Sequence, residues 1–322
     1  MKEGLISVVM SVYKEPLEWL DLSIDSILNQ TYSDIEFVIV NDNPTSIELK
    51  SYLENKAKLD VRIKLISNST NIGLTKSLNV GLSFCRGEYI ARMDADDISI
   101  PARLEKQLAS LKDTEFDICC TNYWVIDEKG NAIKYDMPSF NIEKLTLTNT
   151  IIHPSVMFKH TVLSIRNPLY NEDFRRSQDY ELWTYFLYKG LKFAYINEPL
   201  VKYRISSQQI TRQNKGEQIA DFRNIRRDFY YNYLHSLTQS VIDKSSPTEV
   251  LDIVNSLLSS YKGNRDILLY MRFVILFTLS KNSVKWALTY ILNPKYYASV
   301  KEHRLHILRN LLGIKPSLLF LY

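Results

Sequence analysis

Glu88-Tyr89-Ile90-Ala91-Arg92-Met93-Asp94-Ala95-Asp96-Asp97 decides the fold, because an apolar run with aromatic and β-branched residues stops abruptly at three carboxylates. The first six residues predict a short buried strand, and Ile98-Ser99-Ile100-Pro101 breaks the pattern before a helix. Three acids in four residues repel one another and lose hydration unless a cation or hydrogen-bond donors balance them. One reading is a solvated acidic turn. The other is a divalent-metal site, since hard oxygen ligands on a short loop suit Mg²⁺ or Mn²⁺. An EF-hand is excluded, because its later ligand positions and its glycine are missing.

Upstream of this stretch the chain alternates strand with helix. Leu5 to Val12 is apolar on both faces, as in a parallel sheet covered by helices. Leu17, Leu20, Ile24, Ile27 and Leu28 then recur at helical spacing over residues 17–30. A strand from Ile35 to Val40, a helix over 46–58, a strand from Val61 to Ile66 and a helix carrying Leu74, Leu78 and Leu82 follow. Four such repeats predict a doubly wound α/β sheet, in which ligands bind beyond the carboxyl ends of the strands. The polar residues collect at those ends: Tyr13 and Glu15, Asn41 and Asp42, Asn68 and Asn71, Asp94 and Asp96. Neither G-x-x-x-x-G-K-[ST] nor G-x-G-x-x-G after the first strand is present, which argues against P-loop hydrolysis and a dinucleotide cofactor. A phosphate site without a glycine cradle needs a cation, which fits Asp94 and Asp96.

Downstream, Pro101 opens a helix to about Lys112, and a strand runs from Phe116 through Asp127 to a hairpin turn at Glu128–Asn131. Residues 141–149 read as helical, and His153-Pro154 introduces a strand at Ser155–Phe158. His153 is open to two readings, a ligand or acid–base group and a structural hydrogen-bonding residue. Ser177-Gln178-Asp179-Tyr180-Glu181-Leu182-Trp183 opens a helix with Ser177 as its N-cap, where Asp179 is favoured by the helix dipole whether or not it does chemistry. Lys192 to Ile205 reads as two strands broken at Glu198-Pro199.

With 322 residues and 45% hydrophobic content, the chain can bury a large domain plus an appendage. Cys85, Cys119 and Cys120 are odd in number and sit in apolar runs, so reduced, buried thiols in a cytoplasmic protein are expected. No run approaches the length of a spanning helix and no signal sequence is recognisable. Residues 214–322 carry 15 Lys and Arg against 8 Asp and Glu, whereas residues 1–213 carry 25 against 28. The strands stop near residue 212, and helices are expected at roughly 215–236, 247–261, 264–280, 283–292 and 297–312. Their basic and aromatic residues suit an ordinary helical subdomain or contact with an inner membrane surface; nucleic-acid binding is disfavoured.

Taken together, Ile6 to Glu15, Val38 to Asp42, Asn71-Ile72-Gly73-Leu74, Gly87 to Asp97 and Gln178 to Trp183 resemble the family 2 glycosyltransferases, in the family's order and over residues 5 to about 210. The resemblance implies a GT-A fold, a Rossmann-like, mostly parallel sheet flanked by helices, at residues 1–211, followed by an all-helical C-terminal region at 212–322. It implies a nucleotide-sugar donor, a divalent metal (Mn²⁺ or Mg²⁺), and a glycan or lipid-linked glycan acceptor in cell-surface polysaccharide synthesis. By this resemblance Val12, Tyr13, Glu15, Asp42, Asn71, Gly73, Lys76, Arg92, Asp94 and Ala95 line the donor pocket. Asp96, with Asp94, holds the metal, Asp97 braces the loop, and Asp179 is the catalytic base. His153, Gln178, Trp183 and Arg204 fall on the acceptor side.

Four departures from the family pattern stand out. Asn43-Pro44-Thr45-Ser46 replaces the usual Gly-Ser-x-Asp, Gln178 replaces an acid, and Ile205-Ser206 replaces a histidine after Tyr203-Arg204. The Q-x-x-R-W motif of processive synthases is missing, so chain extrusion is not expected. The rival readings are a sugar nucleotidyltransferase and a nucleotide-sugar-binding protein without catalysis.

Overall fold

The computed structural model describes residues 1–133, 140, 142–145 and 148–206, and eight positions between 218 and 229. Its first half is the alternation read from the sequence: β1 (Lys2–Val12), α1 (Leu17–Leu28), β2 (Ile35–Asn41), α2 (Ile47–Leu59), β3 (Ile63–Ser67), α3 (Leu74–Ser83) and β4 (Gly87–Arg92). β1 and β2 are buried along both faces because helices cover the sheet, which is why their sequences do not alternate. Leu20, Ile24 and Ile27 of α1 join Ile6, Val8, Met10, Phe37 and Ile39 in one core. The Ser46 hydroxyl accepts from the Leu49 N–H and caps α2.

These strands lie in the order β3-β2-β1-β4, all parallel. The winding direction reverses between β1 and β4, which puts the crevice for a ligand at their carboxyl ends. The second half, β5 (Ile98–Ser99), α4 (Arg103–Leu111), β6 (Ile118–Ile126), β7 (Ala132–Ile133), α5 (Ile142–Leu145), β8 (Val156–Lys159), α6 (Gln178–Tyr188) and β9 (Phe193–Arg204), extends the sheet as β4-β8-β6-β9-β5. β8 enters antiparallel to both β4 and β6, while β6 and β9 are parallel. Cys85, Cys119 and Cys120 are free thiols buried in this fold.

Three local expectations change. Residues 193–204 form one strand: the pairing skips from Thr121–Ile196 to Asn122–Pro199, so the Pro199 ring, which has no N–H to donate, is absorbed in a bulge. The helix expected at 141–149 is confined, within the described residues, to Ile142–Leu145, and 148–150 are not helical. Ser177 precedes α6, but its hydroxyl makes no capping bond.

Met1–Asp221 is one compact unit and Phe222–Tyr322 a second. Of the C-terminal helices expected from the sequence, only scattered positions between 218 and 229 are described, and these are helical; the segments from 247 onward lie outside the described residues. No described helix is long and apolar enough to cross a membrane.

Helix α3 packs on the sheet through Gly81, where an added Cβ would stand 2.8 Å from a methyl of Val9 and 3.1 Å from one of Val40. Gly81→Val is therefore expected to lower stability by about 1–3 kcal/mol through overpacking. Urea titration checks this, and an unchanged midpoint would show that the α3–sheet contact is looser than drawn.

Candidate active site

The loop after β4 is held from three sides. Met93 N–H donates to the Val9 carbonyl (3.1 Å), so the chain leaves the sheet beside β1. From α1, Ser23 Oγ donates to the Asp94 carbonyl (2.8 Å), Ser26 Oγ accepts from Ser99 N–H (3.0 Å), and Gln30 Nε2 reaches Ser99 Oγ and the Ile100 carbonyl. From β9, the Arg204 N–H donates to Asp97 Oδ1 (2.7 Å) and Arg204 Nε to the Asp96 carbonyl (2.8 Å).

These contacts make the three acids unequal. Asp97 is fully buried, and its carboxyl is pushed well above the usual range by burial and by Asp96 and Asp94. It braces the loop, as its place in the sequence suggests. Asp94 accepts from Arg92 Nη2 at 2.5 Å. Asp96 is half-buried with its carboxyl pushed up to about 7, first by burial and then by the charges of Asp94 and Glu15. Glu15 is raised by burial too, with Asp94 contributing, while its Oε2 accepts from the Tyr13 N–H (2.7 Å). The ends of β1 and β4 thus share one field.

The β2 end joins them through Asp42, which is 2% exposed. Its N–H donates to the Val12 carbonyl (2.8 Å). Its Oδ1 accepts from Asn68 Nδ2 (2.8 Å) and Ile72 N–H (2.9 Å), and its Oδ2 from Gly73 N–H (2.8 Å). Gly73 has φ +85°, the left-handed region that favours glycine, and that turn is what aims its N–H back at Asp42. Asp42 therefore shapes the pocket wall with its bonding capacity nearly filled, and Val12, with its side chain in the core and its carbonyl engaged, backs that wall rather than facing a ligand. Tyr13, 38% exposed, Asn71 and Lys76 stand open at the rim, with Lys76 Nζ 4.0 Å from Glu172. Ala95 and Arg92 are buried beneath it, Arg92 also donating to the Val9 carbonyl.

Asp179 stands in the first turn of α6, with Oδ2 accepting from Asn149 Nδ2 at 2.7 Å. Burial pushes its carboxyl up to about 6, and the charge of Asp94 adds to the rise. A carboxylate 85 residues further along the chain therefore feels the charge at the end of β4. The Tyr203 phenol is raised by burial and then by Asp97, Asp94, Asp96 and Asp179, and its ring meets Tyr123 edge-on at 5.9 Å.

The acceptor-side expectations fare differently. Arg204 is 1% exposed, its guanidinium lies 4.8 Å from the Trp19 ring centre, and its Nη1 also donates to the Asp127 and Glu128 carbonyls. It is a brace inside the protein and cannot face an acceptor. His153 and Trp183 are likewise buried. His153 Nε2 pairs with Tyr170 Oη (2.7 Å) and its ring meets Trp183 edge-on, while burial and the nearby Arg92 hold the imidazole well below its usual pKa and therefore neutral. These two form the floor under the site, which is the structural reading of His153. Gln178 is also buried at the head of α6. Sequence reasoning missed Asn149, Tyr170, Tyr203 and Trp19, none of which belongs to a spacing motif.

The model of glycosyl transferase family 2 matches residues 7–174. The chain belongs to this family. It is 38% identical over 219 residues to an uncharacterized glycosyltransferase of Methanocaldococcus jannaschii, covering 65% of this chain and 73% of the relative. It is 37% identical over 210 residues to the O-antigen biosynthesis glycosyltransferase WbnJ of Escherichia coli, covering 63% and 81%. Among solved structures, that of S. aureus TarS 1-349 with UDP-GlcNAc superposes with a TM-score of 0.60 at 14% identity, covering 91% of each chain. That likeness establishes the fold, and the sheet with its flanking helices is the GT-A architecture. This family 2 glycosyltransferase carries its acids where the fold's ligand crevice lies.

Among the described residues no group of three or more His, Cys, Asp or Glu is arranged as a cage for a metal. The oxygen donors of Asp96 and Asp94 instead fit a hard divalent cation that completes its shell with ligand and water oxygens. In the metal-free protein the crowding has a cost. A carboxyl whose pKa is higher folded than unfolded stabilises the fold below about pH 4, and that stability is lost as pH rises through about 7. Asp96→Asn is therefore expected to stabilise the chelator-treated protein by roughly 1–3 kcal/mol at pH 8 and not at pH 4. Denaturant melts at both pH values measure this; a gain of equal size at pH 4 would contradict the electrostatic origin.

Proposed function

We propose that this glycosyltransferase moves a sugar from a nucleotide sugar, a UDP-sugar in the first instance, to a hydroxyl of a glycan or lipid-linked glycan, in a single inverting displacement during cell-surface polysaccharide synthesis. The observation that carries the reading is that the charge of Asp94, on the loop after β4, reaches the buried Asp179 carboxyl at the start of α6. The likeness to a protein named for O-antigen biosynthesis and to a neighbour solved with UDP-GlcNAc supports the substrate class.

Tyr13 at the rim offers an exposed ring and Asp42 holds the loop of Asn71 and Gly73, so base and ribose are expected between the ends of β1 and β2 and the start of α3. Asp96, with Asp94, would hold Mn²⁺ or Mg²⁺, which neutralises diphosphate charge in the leaving group. Asp179 takes the proton of the acceptor hydroxyl as its oxygen attacks C1 of the sugar from the face opposite the diphosphate. With its carboxyl near 6, Asp179 is ionised at neutral pH and still basic enough to work, which matches the requirement for a general base. The basic C-terminal residues suit a site of action at the inner face of the plasma membrane, in contact with anionic lipid.

Asp179→Asn is expected to lower turnover by about 10²–10⁴-fold while sparing donor binding. Release of nucleoside diphosphate in the presence of acceptor measures turnover, and near-normal release would remove Asp179 as the base. Asp96→Ala is expected to abolish the Mn²⁺-dependent part of donor affinity in calorimetry. An affinity equal to that of the wild type would remove the metal role.

A further inference from the structure

Asp179 is held by a residue that no motif points to. Asn149 lies in the irregular segment before the 3₁₀ turn at His153–Ser155, half-buried, and its Nδ2 donates to Asp179 Oδ2 at 2.7 Å across 30 residues of sequence. Its orientation is determined, because its Oδ1 accepts from the Ile151 N–H at 3.2 Å. A flipped amide would set two donors against each other there. Backbone N–H groups of the first turn of α6, Tyr180 foremost, also favour the charged carboxylate, and Asn149 adds a side-chain donor from outside the helix.

We propose that Asn149 is a positioning residue for the transfer reaction: it fixes Oδ2 of Asp179 and so holds the carboxylate in one orientation toward the acceptor hydroxyl. The proposal rests on the reading of Asp179 as the base. Its chemistry is that of a donor aimed at the charged form, which favours ionisation and offsets part of what burial costs. The other titratable groups that feel Asp179 are Asp94, which opposes its ionisation, and the phenols of Tyr170 and Tyr203, which Asp179 and Asp94 keep protonated. Asn149 is thus the side chain that hydrogen-bonds the ionised base from outside the helix.

The test is a ¹³C carboxyl NMR titration of the full-length, aspartate-labelled, metal-free protein, with the Asp179 resonance identified by its loss in Asp179→Asn. The wild type is expected to titrate near 6. Asn149→Leu removes the donor at similar size and should raise the midpoint by about 1–2 pH units. Asn149→Asp keeps the oxygen that receives the Ile151 N–H, so it folds even if the leucine variant does not, and its added charge should raise the midpoint at least as far. A midpoint equal to that of the wild type in either folded variant overturns the proposal. The two readings fail separately. If Asp179→Asn abolishes nucleoside diphosphate release and the midpoint stays put, Asp179 remains the base and Asn149 is merely structural. If the midpoint moves and Asp179→Asn still transfers sugar, Asn149 tunes a carboxylate that is not the base, and the positioning role falls with it.

Discussion

Arg204 ties the last long strand of the sheet to the acidic loop that follows β4, and the site depends on that tie. Its backbone N–H engages the Asp97 carboxylate, its Nε the Asp96 carbonyl, and its Nη1 the two carbonyls of the hairpin after β6. Trp19 of α1 closes over the guanidinium. The backbone N–H offsets part of the desolvation of Asp97, and the buried guanidinium, with its oriented acceptors, fixes the backbone at Asp96. Asp96 can therefore keep a half-buried carboxylate beside Asp94 and Glu15 without the loop rearranging to separate them.

The result is a cluster of acids whose mutual repulsion Arg92 and Arg204 balance only in part. Glu15, Asp96, Asp97 and Asp179 are all shifted toward the protonated form, with burial as the largest cause in each. Beneath the cluster the buried Arg92 pairs with Asp94, and its charge together with burial holds His153 neutral against Tyr170 and Trp183. Stability given up in this way is the usual correlate of a site organised for binding a charged ligand.

The first half of the fold was legible in the sequence because period and composition act locally: a two-sided apolar run, an amphipathic helix and a polar strand end each need only a dozen residues. Asp94, Asp96, Asp97 and Asp179 stand out in the sequence by position and by the resemblance together, and in the fold the charge of Asp94 reaches each of the other three. The burial of Arg204, His153 and Trp183 was not legible, because motif order says which residues are near a site and not which way their side chains turn. The bulge at Pro199 made one strand look like two, since a missing N–H reads as a break and only the partner strand shows that pairing resumes. Asn149 and Tyr170 left no local signal at all, because each acts through a contact made across the fold.

The central claim is that the crevice between β1 and β4 binds a nucleotide sugar through a metal on Asp96, with the reacting carbon turned toward Asp179. Diffraction from crystals grown with Mn²⁺ and UDP-N-acetylglucosamine, recorded where manganese scatters anomalously, tests it most directly. The account predicts an anomalous peak within about 2.2 Å of an Asp96 carboxylate oxygen, diphosphate oxygens on the same ion, and the sugar between it and Asp179. A nucleotide bound elsewhere, or a sugar held on the far side of the β4 loop from Asp179, would contradict it.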